Sequence, residues 1–274
     1  MTVADESVGA GDLLPRHIMR VSRTRVFARR VYALLEVDST NRLAAELARA
    51  GETEGALVVA DHQTKGRGRW ERQWESPAGR NLLFSLILRP GATAGAALPV
   101  TLAFSAAIAE TLGALTGRDI GVKWPNDVIA GERKVCGILS EGSTFGDRTE
   151  YIVVGIGINV NMRIEEFPEE CRDRSCSCYT LTGREWDRAD VLGRVLTALE
   201  GTYDEFSARG FGGLVGRYKS RLAILGRDIG YKRRGRPSTA RVVDVGSDGG
   251  LVVETSEGLT TLYDDEVTLL PGIA

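Results

Sequence analysis

The sequence predicts an α+β protein, a mixed sheet flanked by helices and followed by a small all-β barrel. Three observations carry this. Short apolar runs of strand length alternate with segments of helical period through the first two-thirds of the chain. The stretch from about Leu98 to Leu115 is rich in Ala and Leu and apolar nearly all round, which marks a buried helix. After Leu225 the runs GRDIGYK, TARVVDV, GLVVET, GLTTLY and EVTLL are separated by Gly, Asp and Ser, the punctuation of short strands. The expected organisation is a tail or short helix over 1–25, a main domain over 26–222 and a small β domain over 223–274.

Taken in order, RHIMRVSRTRVFARR (16–30) is a basic run without an acid or a clear apolar face, expected as a solvated helix or tail, with a phosphate-contacting arm as the alternative. VYALLEV (31–37) reads as a strand. In STNRLAAELARAG, Ser39 or Thr40 supplies an N-cap, Leu43, Ala44 and Leu47 an apolar stripe, and Gly51 the stop. GALVVADHQ (55–63) and NLLFSLILRP (81–90) are further strands, the second ended by Pro90. IGVKWPNDVIAGERKVCGILSEG reads as two strands turning at Ala130–Gly131, with Pro125 breaking the first. YIVVGIGINVNM (151–162) is a strand whose glycines replace side chains, a sign of close approach by backbone or ligand. IEEFPEECRDRSCSC is expected as a loop, and helices over 188–209 and about 211–222 complete the domain.

Composition narrows the function classes. The chain has 274 residues, 43% hydrophobic and 26% charged, with a net charge of −2, ordinary globular values that disfavour a dedicated nucleic-acid or membrane-surface protein. No apolar run is read as long enough to span a bilayer, and the opening MTVADESVGAGDLL lacks the features of a secretory leader, so the cytoplasm is expected. Cys171, Cys176 and Cys178 spell C-x4-C-x-C, not a usual zinc spacing, and are read with Cys136 as reduced thiols.

Chemistry concentrates in three places. Lys65-Gly66-Arg67-Gly68-Arg69 sets cationic forks on permissive backbone beside Trp70 and Trp74, a pattern suited to an anionic ligand. In VKWPNDVIAGERKVCGIL, Lys123, Asp127 and Lys134 alternate in sign around a hairpin, and Lys134 leads into a buried strand where its ammonium needs an anion. In GIGINVN, Asn159 and Asn161 are polar residues in an apolar strand, on one face by alternation. No G-x4-G-K-[ST] loop exists, and the third glycine of a dinucleotide fingerprint is missing.

The segments DSTN (38–41), HQTKGRGR with W.SP.G.NL (62–82), KWPND (123–127), RKVCGIL (133–139) and GIGINVN (155–161) occur in an order and spacing that resemble the biotin protein ligases. The likeness runs from about residue 25 to the C-terminus. It implies a class II synthetase-like catalytic domain with an SH3-like C-terminal barrel, of the kind without an N-terminal DNA-binding repressor domain. It also implies activation of biotin by ATP and Mg²⁺ to biotinyl-5′-AMP, then transfer to one lysine of a biotin carboxyl carrier protein. Two copies of such a chain can pair through a sheet edge.

By position, the resemblance implies that Ser39, Thr40, Asn41 and Gln63 hold the biotin head, with Gly66, Arg67, Gly137 and Gly155 around it. Arg67 and Arg69 would lie along the phosphates, Trp74, Asn126 and Asn159 would contact the nucleotide, and Lys134 would hold the biotin carboxylate and α-phosphate. Lys123, Asp127, Lys134 and Arg69 form the implied catalytic group, with Asp127 receiving the carrier lysine and the metal travelling with ATP. The chain departs from the family loop at Trp70 and at Glu71, which brings an acid beside the expected phosphates. Two rival readings remain at this stage. One is a lipoate or octanoate ligase or transferase of related fold. The other is a nucleic-acid-binding regulator using Arg16–Arg30, the loop arginines and YKRRGR (231–236).

Overall fold

The computed structural model describes residues 12–91, 95–146, 148–233, 236–263 and 266–270. The elements run α1 (Pro15–Val21), β1 (Val31–Val37), α2 (Thr40–Arg49), β2 (Leu57–Gln63), β3 (Leu82–Leu88), α3 (Ala97–Thr116), β4 (Gly121–Lys123), β5 (Asp127–Ala130), β6 (Arg133–Phe145) and β7 (Arg148–Ile158). There follow α4 (Cys178–Thr182), α5 (Arg188–Arg221) and five strands, β8 (Asp228–Arg233), β9 (Arg236–Val245), β10 (Leu251–Thr255), β11 (Gly258–Leu262) and β12 (Glu266–Leu269).

The main sheet has the order β1-β2-β3-β7-β6-β5-β4. Only β1 and β2 pair in parallel, which the α2 crossover between them requires; every other pair is antiparallel. At the centre, every residue of β3 is buried, as its unbroken apolar sequence demands. Alternation divides the central strands between two cores. Val58, Ile87 and Val153 face Ala44, Leu47 and Ala48 of α2, whereas Leu57, Leu86 and Val154 belong to the larger core with α3 and α5.

Helix α3 has the length and apolarity to cross a membrane, contrary to the expectation that no run does. It packs instead against α5 and the strands β4, β5 and β6, which explains why it is apolar nearly all round. Helix α5 bends at Gly210 (φ 63°), the break the sequence places between two helices.

Three expectations are corrected. The basic N-terminal run begins in the short helix α1 but is anchored, not solvated: Leu13, Ile18 and Phe27 are buried, and Glu200 of α5 accepts the backbone N–H groups of Arg25, Val26 and Phe27 at 2.7–2.8 Å. The hairpin region forms three strands, because the Trp124–Pro125–Asn126 turn separates β4 from β5. The acidic stretch after β7 folds into 3-10 turns at Ile164–Glu166 and Glu169–Arg174, then α4.

The C-terminal strands form one antiparallel sheet, β11-β10-β9-β8-β12. Val242, Val253 and Leu262 join the larger core, and Trp124 donates its indole N–H to Gly249 O at 3.0 Å. Residues 1–11 of the expected tail, and Arg234 and Gly235 of YKRRGR, lie outside the described residues.

Candidate active site

On the α2 face of the main sheet, cross-strand pairing lines up Lys123, Asp127, Gly137 and Gly157 in a single row. By simple alternation Lys134 would point to the other face from Gly137. A register shift between Val128 and Ile129 prevents this, setting Lys134 opposite Ile129. The bulge turns Lys134 onto the Asp127 side, where its Nζ lies 2.6 Å from Asp127 Oδ1.

The glycines of the row carry no side chain because Trp74 lies on them. A Cβ on Gly157 would stand 2.6 Å from the Trp74 ring, and one on Gly137 2.9 Å from both that ring and Lys134 Nζ. The ring centroid is 5.3 Å from Lys134 Nζ, within cation–π range. Its indole Nε1 is buried without a partner among the described residues. The arginine–glycine stretch itself is a small folded hairpin. Arg67 and Gln73 form a bridge, Trp74 N–H donates to Gly66 O and Gly68 N–H to Arg72 O. Its tip is a 3-10 turn at Arg69–Glu71, with Trp70 in the left-handed region (φ 58°) and the Arg69 guanidinium 5.4 Å from the Trp70 ring.

The next row holds Leu139, Gly155 and Ser85. A Cβ on Gly155 would fall 1.9 Å from Asn41 Oδ1, so only glycine admits the first turn of α2 here. Ser85 Oγ lies 2.8 Å from Thr40 Oγ and 2.7 Å from Asn41 Oδ1. Gln63 Oε1 accepts from both Thr40 N–H and Thr40 Oγ, at 2.8 and 3.0 Å. Ser39 occupies the N-cap position, yet its hydroxyl makes no capping bond. Asn41 donates to Leu139 O and to Glu141, and the same carboxylate takes Arg67.

Both rows open into one cavity of about 920 Å³. Of the residues singled out from the sequence, Ser39, Thr40, Asn41, Gln63, Gly155 and Asn159 line it. So do Arg67, Arg69, Trp74, Lys123, Asn126 and Asp127, with Lys134 and Gly137. Gly66 does not; it is buried beneath, where a Cβ would meet Trp74 O at 2.4 Å. Two amides are engaged structurally. Asn126 Nδ2 donates to Ile138 O, and Asn159 donates to Cys176 O while accepting from Asn81. Asn161, expected beside Asn159, pairs instead with the backbone of Trp186.

Burial pushes the Lys123 ammonium below the usual lysine range; Asp127 opposes this, and Lys134, Arg72 and Arg174 deepen it. Lys123, Lys134, Arg72 and Arg174 thus gather around Asp127 in a cavity that Glu75, Glu132 and Glu170 also line. Burial also pushes the thiols of Cys176 and Cys178 up to about 11 and about 12, leaving them unreactive.

Ser85, Glu141, Arg72 and Arg174 were missing from the sequence reading. A lone hydroxyl in a strand buried on both faces was a usable signal for Ser85. For Arg174 there was none, since the bridge that seats Ser175 beside Lys134 is long-range.

A polar pocket and a row carrying lysines thus share one cavity on the sheet of an α+β protein. The biotin/lipoate A/B protein ligase family profile matches residues 34–159. The bifunctional ligase/repressor BirA of Bacillus spizizenii is 34% identical over 233 residues, covering 85% of this chain and 72% of that protein. The biotin–[acetyl-CoA-carboxylase] ligase of Mycobacterium tuberculosis is 32% identical over 178 residues, 63% of each chain. Among solved structures, the Aquifex aeolicus biotin protein ligase in complex with biotin and ATP superposes with a TM-score of 0.78 at 34% identity, covering 88% of this chain and all of that one. The chain belongs to the biotin protein ligases.

Proposed function

We propose that this chain activates biotin with ATP to biotinyl-5′-AMP and transfers biotin to a lysine of a carrier domain in biotin-dependent carboxylases. The observation that carries this reading is the bulge that brings Lys134 to Asp127 inside a cavity whose other wall is the Thr40–Gln63–Asn41 pocket.

In the first step, a carboxylate oxygen of biotin attacks the α-phosphorus and the bond to pyrophosphate breaks. Both partners are anions, so the rate depends on positioned positive charge and alignment, which Lys134 and Lys123 supply from the sheet and Arg69 from the loop. Mg²⁺ would accompany the nucleotide as part of the substrate and would supply screening of the remaining phosphate oxygens. In the second step a carrier amine attacks the acyl carbon, AMP leaves, and the amine proton is lost. Asp127 orients that amine. Ser39, Thr40 and Gln63 face the ureido head, and Asn159 and Trp74 border the nucleotide. A folded hairpin over the site keeps water from the mixed anhydride. We read the C-terminal sheet as an SH3-like barrel, and the setting as cytoplasmic.

Incubation with biotin, ATP and magnesium followed by mass analysis tests this directly. Biotinyl-AMP and pyrophosphate are expected. Product only with lipoate or octanoate in place of biotin would overturn it in favour of the acyl-chain relatives.

A further inference from the structure

We infer that Glu141 is a positioning residue that binds the loop hairpin to the head-group pocket, committing Arg67 to the pocket wall and away from the phosphates. The inference rests on the ligase reading for its ligand but on geometry alone for the contact itself. Both Glu141 oxygens lie 3.0 Å from one Arg67 guanidinium nitrogen. Glu141 Oε2 also accepts from Asn41 Nδ2 at 2.8 Å. The second Asn41 N–H goes to Leu139 O at 3.1 Å, and Asn41 Oδ1 faces Ser85 Oγ, so that amide is held in one orientation. A continuous polar path thus runs Arg67–Glu141–Asn41–Ser85–Thr40–Gln63.

An isolated surface ion pair would be worth little, and Arg67 and Glu141 are each about half exposed. This pair is not isolated. It is tied to Asn41 (4% exposed) and Ser85 (0%), and such buried networks are costly to leave half satisfied. Charge points the same way. An arginine whose guanidinium is already held at 3.0 Å by both oxygens of a carboxylate is committed to the pocket wall and has less to offer a phosphate. This revises the placement of Arg67 along the phosphates that the family resemblance implies.

Two measurements test the proposal. In the ligand-free protein, Glu141→Ala should speed amide hydrogen exchange at Gly68 and Trp74, whose N–H groups close the hairpin, by about tenfold. Glu141→Gln, which keeps one acceptor oxygen, should fall between that variant and the parent. In the ligase assay, Glu141→Ala should raise the KM for biotin about tenfold without raising the KM for ATP. Arg67→Ala should add little to it, because the two residues act as a unit. Unchanged exchange in Glu141→Ala overturns the positioning role, as does a rise confined to the KM for ATP. Faster exchange in a protein whose parent form makes no biotinyl-AMP would sink the ligase reading and leave the role of Glu141 standing.

Discussion

Lys134 and Asp127 meet at 2.6 Å although they sit on strands whose regular pairing would set them on opposite faces. The pair is partly buried, about a third exposed for the lysine and less for the aspartate, so in the resting protein each neutralises the other. A substrate anion reaching Lys134 must compete with that carboxylate. On the function proposed above, that competition would release Asp127 to meet the carrier amine.

Lys134→Ala is therefore expected to lower biotinyl-AMP formation about 10²–10³-fold while the fold is retained. Pyrophosphate release and a far-ultraviolet dichroism spectrum measure the two. Asp127→Asn should spare adenylate formation and depress transfer to a carrier lysine. Equal loss in both half-reactions would remove Asp127 from its role in transfer.

Gly157 and Gly216 make a matched pair of alanine substitutions. Alanine at Gly157 drives a methyl into the Trp74 ring, and we expect a loss of about 1–3 kcal/mol together with a shifted tryptophan emission. Alanine at Gly216, in α5 with open space around it, should instead raise stability by about 0.5–1 kcal/mol. Urea titrations of both variants decide the point.

Lys123 sets a pH dependence of defined sign. Its folded-state pKa lies below the usual 10.5, so the unfolded chain binds its proton more readily. Stability should rise with pH through the window from that lowered value up to 10.5. Lys123→Met should melt higher than the parent at pH 7, with the gain shrinking toward pH 10. Tripolyphosphate should reverse the order by stabilising the parent more.

Glu200 gives the opposite case. Desolvation pushes its carboxyl up, but the N–H groups of Arg25, Phe27 and Val26 outweigh that and hold it below the usual 4.5. Its contribution is present above pH 4.5 and lost as pH falls through the lowered value. Melting curves between pH 6 and 3 should show a shallower acid decline in Glu200→Gln, which starts from a lower Tm.

Much of this molecule could be read from the chain. Period and punctuation located β1, α2, β2 and β3 to within two residues, the buried helix α3, the break at Gly210 and every C-terminal strand. Gly155 and Gly157 were rightly taken as points of close approach, but by backbone or ligand, whereas it is side chains that approach them. What they admit, Asn41 and Trp74, was not legible, since contacts across more than eighty positions leave no local pattern. The bulge that turns Lys134 escaped for the same reason. The basic run at 16–30 misled because its buried apolar residues, Ile18, Phe27 and Ala28, are not spaced on one helical stripe, yet Ile18 and Phe27 pack beside α5.

The bond from Trp124 to Gly249 has a bearing on how such a chain can be cut or recombined. Trp124 belongs to the segment that carries Lys123 and Asp127, and its sole polar atom is spent on a turn between β9 and β10. A breakpoint placed in the connector after Leu222 would look harmless on a linear map. It would leave a buried indole N–H without its acceptor, so the fold of the cationic row leans on a turn more than a hundred positions away.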